Sequence, residues 1–332
     1  MSNRSLDFLA IGDITDDAFI KLKEAQVYCD NNTNKCQICM RFGDKLPYES
    51  VTVVPAVGNS PNASVSAARL GLKSGLLTNL GQDQAGEEAI EALKRNGVDT
   101  ELVLTHEDKK TNYHYVLWYG DERTILIKHE EYDYQLPGIG SPSWIYLSSL
   151  GENSLPFHHE IAAYLKDKPE IKLAFQPGTF QIKLGYETLR DIYAVSEIFF
   201  CNVEEARQIL KTDKTEVPEL LEGIRNLGPN IAVITDGPKG AYASGPDGTW
   251  FMPIYPDPKP PIDRTGAGDS FSSTFTCALA LGRSIPEALS WGPINSMSVV
   301  QYVGAQEGLL TQEALTEHLN QAPADYKPQQ IN

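Results

Sequence analysis

The clearest chemical signal in the chain is the run Asp263-Arg264-Thr265-Gly266-Ala267-Gly268-Asp269-Ser270-Phe271. Phe271, Phe275, Ala278 and Leu279 follow at helical spacing and Gly282 supplies a stop, so the run predicts a tight turn opening a helix. Asp269 then falls in the first helical turn. A helix N-terminus presents free backbone N–H groups and the positive end of the dipole, which suits a phosphate or a developing anion. A carboxylate placed there can handle a proton; it can also be an ordinary helix cap. Gly266-Ala267-Gly268 falls short of the dinucleotide-binding glycine pattern, because Phe271 occupies the third glycine position.

Further polar clusters follow segments that read as strands. Residues 6–11 read as a first strand that ends in Gly12-Asp13-Ile14-Thr15-Asp16-Asp17. Acidic side chains at the carboxyl end of a buried strand sit where open α/β sheets bind ligands, or they make a solvated turn. Val57-Gly58-Asn59-Ser60-Pro61-Asn62 leads into a small-residue helix, with Ser60 expected as N-cap, Pro61 at the first helical position and Gly71 as terminator. Asn202-x-x-Glu205 opens another helix, with the spacing of a capping box and a carboxylate suited to Mg²⁺. Thr235-x-Gly237-x-x-Gly240 predicts a turn where backbone can approach a phosphate.

The elements that must position these residues alternate. Strands are expected at residues 75–80, 144–149, 171–175, 198–201 and 231–234, and helices at 85–95, 157–165 and 220–227. That alternation predicts a mostly parallel sheet covered by helices on both faces. Two segments interrupt it. Residues 18–57 read as short strands with Asn- and Gly-containing turns, a small sheet too short to stand alone. Residues 111–128 form an aromatic-rich hairpin across Gly120-Asp121, a second piece of the same lid or its rim. The Pro- and Gln-rich tail from about Gln321 is expected to be loose.

With 332 residues and 41% hydrophobic content, the chain can bury a sizeable core. No apolar run reaches the roughly 18 residues of a membrane span, and the N-terminus lacks a signal peptide's apolar region. A cytoplasmic protein is expected. The formal charge of −16 argues against nucleic acid or anionic membrane as a partner. Cys36-Gln37-Ile38-Cys39, with Cys29 nearby, has redox or metal-ligand spacing. Three thiols without a neighbouring histidine fit a hairpin better than a four-ligand zinc site.

Taken together, these motifs resemble the ribokinase-like family of sugar and nucleoside kinases over nearly the full chain. Asp263 to Asp269 resembles that family's C-terminal signature, and Gly58 to Asn62 its N-terminal one, with Val57 in place of the first of two usual glycines. The resemblance implies one kinase domain over residues 1–332, a three-layer α/β/α sandwich with a mostly parallel central sheet and a small β-sheet lid. It implies ATP-dependent phosphorylation of a primary hydroxyl, with Asp269 as base and the amides of Gly266, Ala267 and Gly268 as anion hole. Asp17, Gly58, Asn59 and Asn62 would hold the acceptor, a free sugar first and a nucleoside as alternative. Tyr113, Tyr115 and Trp118 are the candidates to stack a nucleobase. Asn202, Thr235, Gly237, Gly240 and Asn295 would bind the nucleotide, with Gly304 near the adenine. Glu205 would hold Mg²⁺ through water. Asp263 and Thr265 match positions that bind a monovalent cation such as K⁺ in some relatives. A homodimer through the lid is expected. The reading from another class is a sugar- or nucleotide-binding protein without turnover.

Overall fold

The computed structural model describes residues 6–30, 35–120 and 122–331. The expectations for residues 1–5 and for Asp121 in the hairpin turn lie outside the described residues. Core strands that are apolar along their whole length must be covered on both sides. Phe8–Ile11, Ser74–Gly81 and Trp144–Leu147 are buried at every position. Because strand side chains alternate, Phe8, Ala10, Tyr146 and Phe200 fall into one apolar cluster, and Leu9, Ile11, Leu147 and Phe199 into another. Helices Asn59–Arg69, Gln84–Arg95, Ala267–Ala280 and Ile285–Val299 close the first cluster. Leu155–Lys166, Tyr186–Val195, Val203–Leu210 and Val217–Arg225 close the second. The result is the expected α/β/α sandwich.

The central sheet has ten strands among the described residues, in the order Gln329–Ile331, Gly248–Met252, Ala241–Gly245, Ile231–Thr235, Ser196–Asn202, Lys172–Phe175, Trp144–Leu147, Phe8–Ile11, Ser74–Gly81, Val103–His106. From Ile231–Thr235 to Val103–His106 neighbours run parallel; the first three strands pair antiparallel. Chain order reverses at Phe8–Ile11, since the next core strand lies on one side of it and Trp144–Leu147 on the other. Ligands bind in such a sheet outside the carboxyl ends at this switch point.

Four strands leave the core to form a separate sheet, ordered Tyr48–Val57, Thr15–Leu22, Tyr113–Tyr119, Glu122–Leu126. This joins the two lid segments read from the sequence. The piece containing Cys36 and Cys39 does not belong to that sheet. Gln26–Asp30 and Lys35–Cys39 make their own hairpin, whose register sets Cys29 opposite Cys36. These two are joined in a disulfide, so two of the three sulfurs considered for zinc are bonded to each other.

Two local expectations are corrected. The Asn59–Arg69 helix begins before Ser60, with Gly58 as its cap. Ser60 is drawn inward instead, its hydroxyl donating to the carbonyl of Ile11 at 2.7 Å and meeting Ser148 Oγ at 2.6 Å. The tail is also not loose throughout. Tyr326 is buried edge-on to Tyr255 and donates to the Ser290 carbonyl, and Gln329–Ile331 adds an edge strand.

Candidate active site

Gly266 takes φ 78°, a left-handed conformation that ends the incoming loop and lets the Ala267–Ala280 helix start at once. A Cβ on Gly266 would stand 2.3 Å from Ala305 Cβ, so the close approach also demands glycine. Asp263, 4% exposed, braces the loop from below. One carboxylate oxygen accepts from the Thr265 amide and hydroxyl (3.0 and 2.8 Å), the other from the Gly304 amide (3.0 Å).

Asp269 therefore sits in the first turn, and three side-chain amides converge on it. Asn59 Nδ2 donates to Oδ1 at 2.7 Å, Asn62 Nδ2 to Oδ2 at 2.9 Å and Gln176 Nε2 to Oδ1 at 3.2 Å. Asn59 and Asn62 share a helix face by their three-residue spacing. That helix can begin there because Gly58 adopts φ 123°, where a Cβ would lie 2.8 Å from the Asp13 carbonyl oxygen. The amide orientations are fixed from behind: Gln306 Nε2 donates to Asn62 Oδ1, and Tyr146 donates to Gln176 Oε1. Gln176 follows the Lys172–Phe175 strand directly, at the sheet's carboxyl edge.

On the lid side, parallel pairing sets Asp17 beside His114, with Oδ1 3.3 Å from Nδ1. Alternation turns Asp16 and Tyr113 to the opposite face. Asp16 accepts from the Ala56 amide at 2.9 Å, and its carboxyl is pushed up to about 6 by burial, against which the Ala56 bond acts. Tyr134 donates to both oxygens of Asp13 (2.8 and 3.0 Å), and His129 Nδ1 lies 3.8 Å from Asp13 Oδ2. Burial pushes Asp13 up to about 7, and the Tyr134 hydrogen bond offsets this only in part. Burial, with His114 next to it, pushes His129 down. Both are thus favoured in their neutral forms. Between pH 3.8 and about 7 the unfolded chain has released the Asp13 proton and the folded chain retains it, so stability falls as pH rises through that window. Asp13→Asn keeps an acceptor for Tyr134 and removes the ionisation. Thermal melts should show a flatter pH dependence and a gain on the order of a few kcal/mol at about pH 8.

On the other side of Asp269 runs a cleft of about 270 Å³. Thr235, Gly237, Gly240, Arg264, Ala267 and Gly268 line it, together with the apolar Ile254, Met297 and Val300. A Cβ on Gly268 would meet nothing within 4 Å, so this glycine borders open space. The Gly266 and Gly268 amides donate to no acceptor among the described residues, while that of Ala267 makes a long 3.4 Å bond to the Arg264 carbonyl.

The remaining site residues stand apart from the cleft lining. Asn202 and Glu205 cap their helix reciprocally, each backbone amide donating to the other's side chain at 2.9 Å. Burial holds the Glu205 carboxyl above its usual range; the Asn202 amide lowers it and the nearby Asp269 charge adds to the rise. Asn295 is fully buried, donating to Thr274 Oγ1 at 2.7 Å and accepting from the Leu310 amide at 2.9 Å. Its helix neighbours Pro293, Ser296 and Met297 line the cleft instead. Gly304 lies against Val54 of the lid. Sequence reading pointed to Asp13 only as part of an acidic cluster after the first strand, and missed Gln176, Tyr134, His114 and His129. For Gln176 and Asp13 a signal existed, since each follows a core strand.

A sandwich with a switch-point site, a small lid sheet and a helix-start aspartate beside a cleft define a protein of the ribokinase-like class. A model of the pfkB family of carbohydrate kinases matches residues 22–312, and the chain belongs to that family. It is 28% identical over 289 residues to a ribokinase of Bacillus subtilis (strain 168), covering 84% of this chain and 92% of that protein. A nucleoside kinase of Methanothermobacter thermautotrophicus is 24% identical over 259 residues, covering 76% of this chain and 80% of that one. The structure of Arabidopsis thaliana ribokinase complexed with ribose and ATP superposes with a TM-score of 0.78 at 17% identity, over 95% of this chain and 99% of that one. No helix among the described residues is long and apolar enough to cross a membrane.

Proposed function

We propose that this carbohydrate kinase transfers the γ-phosphoryl group of ATP to a primary hydroxyl of a small free sugar. What carries the reading is the position of Asp269, held by three amides next to Gly268, which borders the cleft on its other side. ATP lies in the cleft, its adenine toward Ile254 and Met297 and its phosphates toward Thr235, Gly237, Gly240 and the Gly268 turn. Asn202 belongs to the same nucleotide site. The acceptor lies on Asp17, Gly58, Asn59 and Asn62. Its hydroxyl oxygen bonds to the γ-phosphorus as the bond to the β–γ bridging oxygen breaks and ADP leaves; the hydroxyl proton passes to Asp269. The amides of Gly266, Ala267 and Gly268 face the charge on the transferring group. Such a transfer is governed by positioning and charge stabilisation.

The chain's acidic groups fit a magnesium ion in one respect: burial, and after it the nearby Asp269 charge, hold the Glu205 carboxyl above its usual range, and a cation beside it would relieve this. Glu205 would hold Mg²⁺ through water, since among the described residues no cluster of three His, Cys, Asp or Glu is arranged to bind a metal alone. When bound, Mg²⁺ neutralises phosphate charge. Asp263 and Thr265 brace the turn, and a K⁺ ion beside them would stiffen it further.

ATP consumption with a panel of free sugars and nucleosides tests the reading. Sugars should support turnover; turnover with nucleosides alone would move the assignment to a nucleoside kinase. Tight binding without turnover by any acceptor would make this a binding protein. The reading places the enzyme in the cytoplasm, where ATP is supplied. It also makes it a homodimer: Val51, Val53, Tyr115 and Leu126, each about half exposed, share the outer lid face by their register, and a second lid would cover them. Light scattering at micromolar concentration should report two chains per particle.

A further inference from the structure

Three buried polar atoms lie together where paired lid strands set Asp17 beside His114. Asp17 Oδ1, His114 Nε2 and His129 Nδ1 have no hydrogen-bond partner among the described residues. Asp17 is only 9% exposed, so its open oxygen has little access to bulk water. A buried polar atom left without a partner destabilises the fold unless something bonds to it. Three in one place point to a ligand.

The cluster is continuous. The His114 and His129 rings stand 5.2 Å apart, His114 faces Asp17, and His129 faces Asp13, giving an alternating row of carboxyl and imidazole groups. Two of its neighbours lead to Asp269. The Asp13 carbonyl limits Gly58, next to Asn59, which bonds Asp269. The His129 ring meets Phe180 edge-on at 6.1 Å, in the short helix that begins just after Gln176, another partner of Asp269.

We infer that Asp13, His114 and His129 are specificity residues of the acceptor site proposed above, and that this site is built for a neutral, polyhydroxylated sugar rather than a nucleoside. Hydroxyl groups both donate and accept, so a row of them satisfies carboxyl oxygens and imidazole nitrogens together. A nucleoside would bring only its ribose hydroxyls to this row and would still need a stacking surface for its base. The aromatic side chains on the same strand offer it no platform. Tyr115 lies on the opposite lid face from His114, and Tyr113 shares that face by alternation. Trp118 is covered by Arg123 at 3.7 Å and approached by Lys21 at 5.7 Å. An anionic acceptor fits no better, because the row offers it no lysine or arginine and places it beside the Asp17 carboxyl.

The test titrates D-ribose, D-fructose and adenosine into the full-length enzyme by calorimetry without ATP, then measures kinetics with each. A sugar should bind at least about tenfold more tightly than adenosine, equivalent to about 1.4 kcal/mol. His114→Leu and His129→Leu should each raise that sugar's Kd and KM about tenfold or more, with kcat and the KM for ATP changed less than about threefold. His114→Gln and His129→Gln should restore most of the affinity. Tighter binding of adenosine than of either sugar would overturn the inference. Sugar affinity unchanged in folded leucine variants would overturn it as well. Should the leucine variants not fold, the glutamine variants and the wild-type preference decide. Sugar binding that the variants weaken, without ATP turnover, would refute the kinase reading and still support this one.

Discussion

Asp269→Asn should lower kcat by about 10²- to 10⁴-fold and leave the KM for ATP within a few-fold of its original value. An amide cannot take the hydroxyl proton. The loss is more than one of charge, because Asn59 and Asn62 both donate to this side chain. An asparagine must turn its NH₂ toward one of them, so one hydrogen bond breaks and the group shifts. Asp269→Ala removes that conflict together with the carboxylate. If both variants lose kcat to a similar degree, the proton-accepting role explains the loss; a large loss in the asparagine variant alone would assign it to displacement. Stability should fall by about 1–3 kcal/mol, since the amides of Asn59, Asn62 and Gln176 lose a charged partner.

The second large effect separates two neighbouring glycines. Gly266→Ala places a Cβ 2.3 Å from Ala305 Cβ at a φ of 78°. Left-handed backbone disfavours an alanine by about 1–2 kcal/mol, and the overlap forces the Ala305 segment away. A melting temperature lower by several degrees and near-complete loss of activity are expected, because that segment's neighbour Gly304 is tied to Asp263. Gly268→Ala meets nothing within 4 Å, so its melting temperature should hold. Its methyl projects where phosphates are proposed to lie, and kcat/KM for ATP should fall about tenfold or more. Equal loss of stability in both variants would remove the ligand role given to the Gly268 side of the turn.

These outcomes depend on contacts of very different reach, and reach explains what could be read from the chain alone. The turn from Asp263 to Asp269 is legible because its signals are local: a left-handed glycine, a helix start and an acidic first turn. The sandwich is legible because strands such as Phe8–Ile11, buried on both faces, are apolar throughout. Gln176 reaches Asp269 across 93 residues, and no spacing rule connects them. His114 looks like part of an aromatic strand until parallel pairing with Thr15–Leu22 sets it beside Asp17. Local signals also mislead when a tertiary partner outbids them. Ser60 has the composition of a cap and bonds the core strand instead. Cys36 and Cys39 have a familiar spacing, but the hairpin register joins Cys36 to Cys29. Asn295 comes from the family resemblance and not from a local signal; it bonds Thr274 and the Leu310 amide, one residue from the cleft-lining Ser296.

The central claim is that Asp269 stands between a nucleotide and a sugar hydroxyl and takes its proton as phosphate is transferred. Phosphorus NMR of the reaction of ATP and Mg²⁺ with the preferred acceptor, in parallel KCl and NaCl buffers, tests it most directly. The account predicts equal amounts of ADP and a phosphate monoester on the acceptor's primary carbon, formed by the wild-type enzyme and not detectably by Asp269→Asn over the same interval. An ester formed at similar rates by both proteins, or no ester with any sugar or nucleoside, would contradict it.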